Sequence, residues 1–317
     1  MPSEKSAPCI GLALGSGAAR GLCHIGVLKV LEREQIRINC LAGTSIGAFI
    51  GALYAAGMSP EQMEEVATGL DWRRLARLID PVVPTAGLID GAQVAEFMAK
   101  LLPARTFEEL RMPLAVTATD VETGEALIIR RGNLVDALRA AIAFPGIFTP
   151  ARFGDRFLID GGLCNPVPVD AVKQLGAENI IAVCAIPQVE KPIHETYLPP
   201  AQSPARTSKR RLPLFNTTRI EKIFGDLWRA RPFAGRQPPA TKPEKRPPSI
   251  FKVCAQSVAI MENQINELRL QQNHFDVLIR PEFDDLTMLE FHRAAEAIAA
   301  GEKATLEVRS ALAQLHC

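Results

Sequence analysis

The stretch Gly43-Thr44-Ser45-Ile46-Gly47 has the pattern G-x-S-x-G and lies within Leu41–Met58, which contains no charged residue. The residues before it, Ile36–Ala42, are typical of a short strand, and Ala48–Ala56 are typical of an apolar helix. Ser45 is therefore expected at a strand-to-helix turn so sharp that only glycine leaves room on both sides. Such a turn predicts an α/β fold in which the serine hydroxyl is exposed at a sheet edge. The amides of the following helix face that hydroxyl.

Two other interpretations of this stretch remain open at this point. A G-x-S-x-G match can be a turn of small residues without chemistry. Leu41–Met58 is also just long enough for a membrane span, and Gly47 and Gly51 have the spacing of a membrane-helix contact. The stretch is rich in Gly, Ser, Thr and Ala, however, which favours a buried helix of a globular core.

Length and composition are those of an ordinary globular protein. The 317 residues are 47% hydrophobic and 22% charged, and the net charge is +1, so the chain can bury a large core. A net charge near zero argues against nucleic acid as a partner. Residues 1–8 form a polar tail without the pattern of a signal peptide, which favours a cytoplasmic protein. Seven dispersed cysteines without a C-x-x-C pair predict free thiols and no metal site.

A second glycine-rich segment, Gly15–Gly21, lies between a predicted strand, Cys9–Leu14, and a predicted helix that ends near Glu34. A loop of this kind leaves backbone amides free to bind an anion. A dinucleotide-binding loop requires G-x-G-x-x-G, but here the third glycine is one place late and no suitable acidic residue follows the second strand. The other interpretation is an oxyanion hole for Ser45, because two parallel strands joined by one helix place both loops at the same sheet edge.

The rest of the chain continues the alternation of strands and helices. Asp160, followed by two glycines, ends the predicted strand Phe157–Ile159, and D-G-G taken alone is most often a turn. The apolar loop Ala143–Pro150 is either a packed connector or one wall of a pocket for an acyl chain. The other predicted strands are Leu114–Thr119, Ala126–Arg130, Ile180–Ala185 and Val277–Ile279. Helices begin near Pro60, Gly91, Leu134, Val167 and Cys254, and the first three of them are expected to be capped by Ser59, Asp90 and Asn133. Two closing helices are expected at about Met288–Ala299 and Ala304–Leu315.

Residues 187–249 differ in composition from the rest of the chain. They hold 12 prolines and 13 Lys or Arg against 5 Asp or Glu, a net charge of about +8 that leaves about −7 for the remainder. We expect a partly disordered insert between a core of residues 1–186 and a closing helix-strand-helix segment of residues 250–317. Within the insert, Ile220, Phe224 and Trp228 share one helical face that basic residues surround. This face predicts either peripheral contact with the inner face of the membrane or a cap helix over the active site.

A serine hydroxyl becomes a strong nucleophile only when a neighbouring base takes its proton. The five histidines offer no marked partner, although His274 and His292 would suit a Ser-Asp-His triad. The simpler arrangement is a dyad in which Asp160 takes the proton of Ser45 directly. Because the ordinary pKa of Asp is about 3.9, this dyad requires a partly desolvated site that raises the value.

Together, the three motifs resemble those of the patatin-like phospholipase family. The glycine loop with Arg20, the G-x-S-x-G at Ser45 and the D-G-G at Asp160 occur in the family's order, and Ala141–Pro150 also resembles a family segment. The resemblance implies a three-layer α/β/α sandwich with a mostly parallel sheet. It also implies a hydrolase of phospholipid, lysophospholipid or neutral lipid esters that uses no metal or other cofactor. Ser45 would be the nucleophile and Asp160 the base, without a histidine.

The resemblance further assigns the oxyanion hole to Ser16, Gly17 and Ala18, with Arg20 beside them, and the elbow to Gly43 and Gly47. Many family members carry Gly-Gly-Gly where this chain has Ser16-Gly17-Ala18. If Ala18 has to adopt a positive φ, it carries strain of about 1–2 kcal/mol. An acyltransferase that uses the same acyl-serine, and a weakly active regulatory or membrane-binding protein, stay open as alternatives.

Overall fold

The computed structural model describes residues 8–70, 75, 77–82, 87–187 and 250–316. The basic insert beyond Pro187, with its predicted interfacial helix, lies outside the described residues. The described residues on the two sides of the insert belong to one compact unit.

One eight-stranded sheet forms the centre of this unit. Its strands are β1 (Ile10–Leu14), β2 (Cys40–Thr44), β3 (Leu114–Asp120), β4 (Ala126–Ile129), β5 (Ala151–Phe153), β6 (Arg156–Asp160), β7 (Asn179–Val183) and β8 (Val277–Ile279). The hydrogen-bonded order is β5-β6-β3-β2-β1-β7-β8, and β4 pairs with β3 in addition. Neighbouring strands in the part β3-β2-β1-β7-β8 are parallel, whereas the pairs that involve β4, β5 or β6 are antiparallel. The predicted mostly parallel α/β sheet is confirmed, and one of its ends is antiparallel.

Helices cover both faces of the sheet. They are α1 (Cys23–Arg33), α2 (Ile46–Ala55), α3 (Pro60–Thr68), α4 (Ala92–Leu101), α5 (Leu134–Ala141), α6 (Val169–Gln174), α7 (Ile250–Gln272), α8 (Ala294–Glu307) and α9 (Arg309–Ala313). Successive residues of a strand point to opposite faces. In β1, Leu12 and Leu14 join the core shared with α1, α2 and α8, whereas Ala13 joins a second core with α6. The result is the three-layer α/β/α arrangement.

The uncharged stretch Leu41–Met58 is divided between β2, the following turn and α2. Both elements are largely buried in the protein core. Across the described ranges, no helix is both long enough and apolar enough to cross a bilayer. The structure supports the interpretation of this stretch as strand, elbow and core helix, although the strand begins at Cys40 and ends at Thr44 and does not cover the predicted Ile36–Ala42.

The C-terminal helices differ from the prediction. The sequence predicted a break at residues 300–303, but α8 continues through them. Gly301, within this stretch, serves a close contact, because a β-carbon there would overlap the backbone of Cys23 in α1. Gly26 of α1 in turn faces α8, where a β-carbon would lie 2.8 Å from the amide nitrogen of Glu302. The two glycines let α1 and α8 approach at backbone distance.

Local spacing also misplaced the start of α4. The predicted cap was Asp90, but the N-cap is Gly91, which has a φ of 84°. The carboxylate of Asp80 accepts hydrogen bonds from the amides of Gly91 and Gln93 at 2.8 and 3.0 Å. A carboxylate from outside the helix therefore satisfies the free amides of the first turn. The caps predicted at Ser59 and Asn133 are confirmed by their side-chain hydrogen bonds.

Strands β2 and β6 both pair with β3, and their ends lie next to each other. Both β2 and β4 pair with Val116 and Thr117, and both β6 and β4 pair with Ala118 and Thr119. Because a strand has only two edges, β2 and β6 must share the edge opposite β4. β2 runs parallel to β3 and ends opposite Thr117, whereas β6 runs antiparallel and ends opposite Ala118. The carboxyl ends of two strands that are distant in sequence are thus neighbours.

Candidate active site

Ser45 lies at the turn between β2 and α2, with a φ of 55° and a ψ of −125°. A positive φ is strained for a residue with a β-carbon and marks a backbone held in place by its surroundings. The flanking glycines have no room for a side chain. A β-carbon at Gly43 would lie 2.5 Å from the amide nitrogen of Ala48, and one at Gly47 would lie 2.5 Å from the carbonyl oxygen of Gly15.

Asp160 ends β6 and meets the serine directly. The hydroxyl of Ser45 donates a hydrogen bond to Oδ2 of Asp160 at 2.6 Å, the length of a bond to a charged oxygen acceptor. The other carboxylate oxygen, Oδ1, accepts from the amide of Gly162 at 2.8 Å. Gly161 packs on β3, where a β-carbon would lie 2.6 Å from the carbonyl oxygen of Thr117. The D-G-G turn therefore fixes the carboxylate and leaves one oxygen for the serine.

The environment of Asp160 makes it a stronger base than an exposed aspartate. Only 4% of its surface is exposed. Burial raises the pKa of Asp160 to about 7, and the nearby charge of Glu262 acts in the same direction. The hydrogen bonds from Ser45 and from the amide of Gly162 act against this rise in pKa. A carboxylate with a pKa near neutrality is well matched to accept a proton at neutral pH.

The glycine loop after β1 packs against the elbow. A β-carbon at Gly21 would overlap the side chain of Ile46, the residue that follows the serine. Gly47 lies against the carbonyl oxygens of Leu14 and Gly15. Three loops, which follow β1, β2 and β6, thus converge on one site.

Two amides in the glycine loop are free to bind an anion. The amides of Gly15 and Ser16 donate to the carbonyl oxygens of Val183 and Pro166. The next two amides, those of Gly17 and Ala18, have no acceptor anywhere in the part of the chain that the structure describes. The predicted oxyanion loop therefore offers the amides of Gly17 and Ala18, whereas the amide of Ser16 is engaged.

The side chains of Ser16 and Arg20 have partners outside the loop. The hydroxyl of Ser16 donates to a carboxylate oxygen of Glu262. Nε of Arg20 donates to the carbonyl oxygen of Leu286 at 2.8 Å. Both side chains hold the loop against the C-terminal part of the chain.

Ala18 has a φ of 51°. This value confirms the positive φ that the sequence analysis treated as a condition for strain. A glycine at this position would avoid the cost, whereas this chain carries it at the first residue of a short 3-10 helix, Ala18–Leu22.

Glu262 is the residue of this site that the sequence analysis did not identify. It lies on α7, only 8% exposed, and belongs to no motif. Glu262, Asn266 and Leu270 are all buried at helical spacing. The buried face is mostly polar, since Asn263 is buried as well, whereas Ile260 and Leu268 of the same helix are exposed. The spacing of apolar residues in the sequence therefore gave no signal for this face.

The three histidines whose side chains the structure describes take no part in the contact between Ser45 and Asp160. His274 and His292 are both exposed, and neither bonds to Ser45 or Asp160. His24 is fully buried, and its Nε2 lies 2.7 Å from the carbonyl oxygen of Gly15. Burial lowers the pKa of His24 to about 4, so the ring is neutral and donates to that carbonyl. Within the described ranges, no cluster of His, Cys, Asp or Glu is arranged to hold a metal ion.

The apolar loop Ala143–Pro150 begins at the dyad. The carbonyl oxygen of Ala143 accepts from the amide of Asp160 at 3.0 Å. Ala143 is buried, whereas Phe144, Ile147 and Phe148 in the same loop are partly exposed. One end of the loop is therefore bonded to Asp160, and three of its apolar side chains are partly exposed.

Comparisons with known proteins agree with this arrangement. A family model described as patatin-like phospholipase matches residues 12–173, which include all three loops. An uncharacterized NTE family protein of Mycobacterium tuberculosis is 30% identical over 324 residues, covering 93% of this chain and 90% of that protein. Patatin-like phospholipase domain-containing protein 6 of Homo sapiens is 32% identical over 181 residues, which are 55% of this chain but 13% of that protein.

Among solved structures, VipD from Legionella pneumophila matches 96% of this chain and 67% of that chain, with 12% identity and a TM-score of 0.49. The family model spans half of the chain, and the mycobacterial protein is similar over most of its length. The chain therefore belongs to the patatin-like phospholipase family, and this membership supports lipid acyl hydrolase activity in general terms.

Proposed function

We propose that the protein is a serine hydrolase of fatty-acyl esters in phospholipids, lysophospholipids or neutral lipids, with Ser45 and Asp160 as its catalytic dyad. The observation that carries the proposal is the 2.6 Å hydrogen bond from the Ser45 hydroxyl to Asp160, a buried carboxylate. The free amides of Gly17 and Ala18 in the adjoining loop support it.

The first half of the reaction forms an acyl-enzyme. Asp160 accepts the hydroxyl proton as Oγ of Ser45 attacks the ester carbonyl carbon, and negative charge develops on the carbonyl oxygen. The amides of Gly17 and Ala18 are the donors available to stabilise that charge. When the tetrahedral intermediate collapses, the alcohol leaves with the proton from Asp160, and the acyl group stays on Ser45.

The second half releases the acid. Asp160, ionised again, accepts a proton from a water molecule that attacks the acyl-serine carbonyl. The same two amides stabilise the second oxyanion. The bond between the acyl carbon and Oγ breaks, Ser45 recovers its proton from Asp160, and the free fatty acid leaves.

The proposal extends to the substrate and its location. The partly exposed apolar side chains of Ala143–Pro150 are suited to an acyl chain beside the dyad. The basic composition of residues 187–249 supports a cytoplasmic enzyme that contacts the inner face of the membrane at its surface. The described part of this chain contains no candidate site for a metal ion, and the proposed mechanism uses none.

The direct test is labelling with a fluorophosphonate probe, which modifies activated serines. We expect the probe to modify Ser45 and the Ser45→Ala variant to lose both labelling and turnover of p-nitrophenyl esters. The matched control is Ser310→Ala, at an exposed position of α9, which should keep both. Ester turnover that survives in Ser45→Ala would show that the nucleophile has been assigned to the wrong residue.

A further inference from the structure

One buried carboxylate touches two of the three active-site loops. Oε1 of Glu262, on α7, accepts the hydrogen bond of the Ser16 hydroxyl in the glycine loop. A β-carbon at Gly162 would lie 2.5 Å from the same oxygen, so Glu262 also lies directly against the turn that holds Asp160. Hence α7 reaches the site from a part of the chain that none of the three motifs includes.

Few of the described charged groups lie near the carboxylate of Glu262. Burial raises the pKa of Glu262, and both the hydrogen bond from Ser16 and the charge of Arg20 act against that rise. Arg20 also faces Glu290, and the buried ring of His24 beneath the loop is neutral. Asp160 has the charge of Glu262 beside it, and among the described residues no cation contributes to its pKa. Of the two carboxylates, Glu262 has the charge of Arg20 beside it, and the charge of Glu262 in turn opposes the ionisation of Asp160.

A charge at this place requires an explanation. The Ser16 hydroxyl needs only an acceptor, and a glutamine would supply one at a lower desolvation cost than a carboxylate. Burying a carboxylate costs several kcal/mol unless strong partners compensate for the lost water. The effect of its charge on the neighbouring dyad accounts for a carboxylate here.

On the basis of the proposed dyad, we propose that Glu262 is a positioning residue of the active site. Through Ser16 it holds the glycine loop beside Ser45, and through its contact with Gly162 it controls the charge around Asp160. Glu262 itself does not touch the reacting atoms. Its two roles can be separated, because one depends on the length of the side chain and the other on its charge.

Two substitutions in the full-length protein separate the roles. Glu262→Gln keeps the acceptor for Ser16 and removes the charge. The acidic limb of the kcat/KM profile, which is the fall of kcat/KM at low pH as Asp160 becomes protonated, should therefore move to lower pH by on the order of one unit. The plateau of the profile should stay within about threefold of the wild-type value. Glu262→Asp keeps the charge and shortens the side chain, so the limb should stay in place while the plateau falls about tenfold, because the loop is misplaced.

The matched control is Glu267→Gln on the same helix, where Glu267 pairs with Arg280 at 2.9 Å. It removes one negative charge from α7 and should leave the profile unchanged. The pH dependence can also be measured as the rate at which a fluorophosphonate labels Ser45. Because the probe modifies only an activated serine, this rate reports on folded molecules, so a partly unfolded variant remains informative.

The outcomes distinguish this inference from the proposed function. If the acidic limb of kcat/KM for Glu262→Gln coincides with the limbs of the wild type and of Glu267→Gln, the charge of Glu262 has no effect on Asp160. If the plateau of kcat/KM for Glu262→Asp equals the wild-type plateau, Glu262 does not hold the glycine loop in place. If the wild-type protein neither labels at Ser45 nor hydrolyses esters, the proposed function fails and this inference fails with it.

Discussion

At the scale of single residues, the proposed dyad depends on keeping Asp160 both buried and correctly bonded. Each of its carboxylate oxygens has one donor, Ser45 for Oδ2 and the amide of Gly162 for Oδ1. Two donors are too few to offset burial and the charge of Glu262, so the pKa of Asp160 stays near 7. A free aspartate would be almost fully ionised at that pH but would be a poor proton acceptor.

This pKa predicts the acidic limb of the reaction. Asp160 can accept the Ser45 proton only when it is ionised, so kcat/KM for a soluble p-nitrophenyl ester should fall below about pH 7. The fall should be about tenfold for each pH unit. The measurement is kcat/KM from pH 5 to 9. A limb near pH 4 instead would indicate a solvated carboxylate and would contradict the buried dyad.

A pair of variants tests the identity of the base. Asp160→Asn removes the proton acceptor while leaving both hydrogen-bonding positions filled, and it should lower kcat by about 10²–10⁴-fold. His292→Ala is the control, because this exposed histidine is one of the two, with His274, that would suit a Ser-Asp-His triad. It should keep wild-type kcat. The reverse pattern would restore the triad and remove Asp160 from its proposed role.

The backbone of Ala18 carries strain that a single substitution can remove. At a φ of 51°, Ala18→Gly should relieve about 1–2 kcal/mol in the folded state, partly offset by about 0.4–1 kcal/mol from the freer unfolded chain. We expect the free energy of unfolding in urea to rise by about 0–1.6 kcal/mol, with activity retained. The control is Ala19→Gly at the next, buried position, which should destabilise the protein. Equal losses in both variants would contradict strain at Ala18.

At the scale of elements, glycines decide how closely the helices pack. Gly301→Ala would bring a β-carbon into the backbone of α1, 2.8 Å from the carbonyl carbon of Cys23. Gly51→Ala in α2 would make only ordinary contacts of 3.5 Å with Leu114 and Leu14. We therefore expect the first change to lower the free energy of unfolding by about 1–3 kcal/mol. The second should raise it by up to about 1 kcal/mol through helix propensity.

The two substitutions are chemically identical, and each is made inside a helix, so each serves as the control of the other. Denaturant unfolding of both variants beside the wild type gives the comparison. The same sign of change in both would mean that helix propensity, and not the contact between α1 and α8, determines the result at residue 301.

The elements that the sequence predicted correctly are those with local signals. The buried strands of a parallel sheet are continuous apolar runs, so β1 and β8 were placed to within one residue. The caps at Ser59 and Asn133 follow from the side chain at the helix start. The predictions of the α4 cap and of a helix break near residue 301 failed because both depend on contacts outside the local segment. Asp80, which precedes α4 in the chain, caps that helix, and Gly301 packs on α1.

The residues of the candidate site likewise include some that a local motif predicts and some that depend on distant contacts. The three loops could be predicted because each combines glycines with a reactive or anion-binding group in a short motif. Glu262 could not, because its contacts with Ser16 and Gly162 form only when α7 packs against the sheet edge. The meeting of Ser45 with Asp160 likewise depends on a register, that of β2 and β6 on the shared edge of β3, which no single strand encodes.

At the scale of the whole molecule, charge is unevenly distributed along the chain. Residues 187–249 carry a net charge of about +8, although the protein as a whole carries +1. The dyad, its loops and Glu262 all belong to the other, acidic part, which forms one compact unit. Attraction to an anionic lipid surface should therefore depend on the basic segment, and hydrolysis of a soluble ester should not.

Deletion of residues 203–249 tests this separation. The full-length protein should float with vesicles containing phosphatidylglycerol at low salt and lose much of that binding as the ionic strength rises, because salt screens the attraction. The deletion variant carries a net negative charge and should stay unbound, while its kcat/KM for a soluble ester stays within about twofold of the wild-type value. Vesicles of phosphatidylcholine alone are the control for charge. Equal flotation of both proteins with the anionic vesicles would mean that another surface of the molecule binds the lipid.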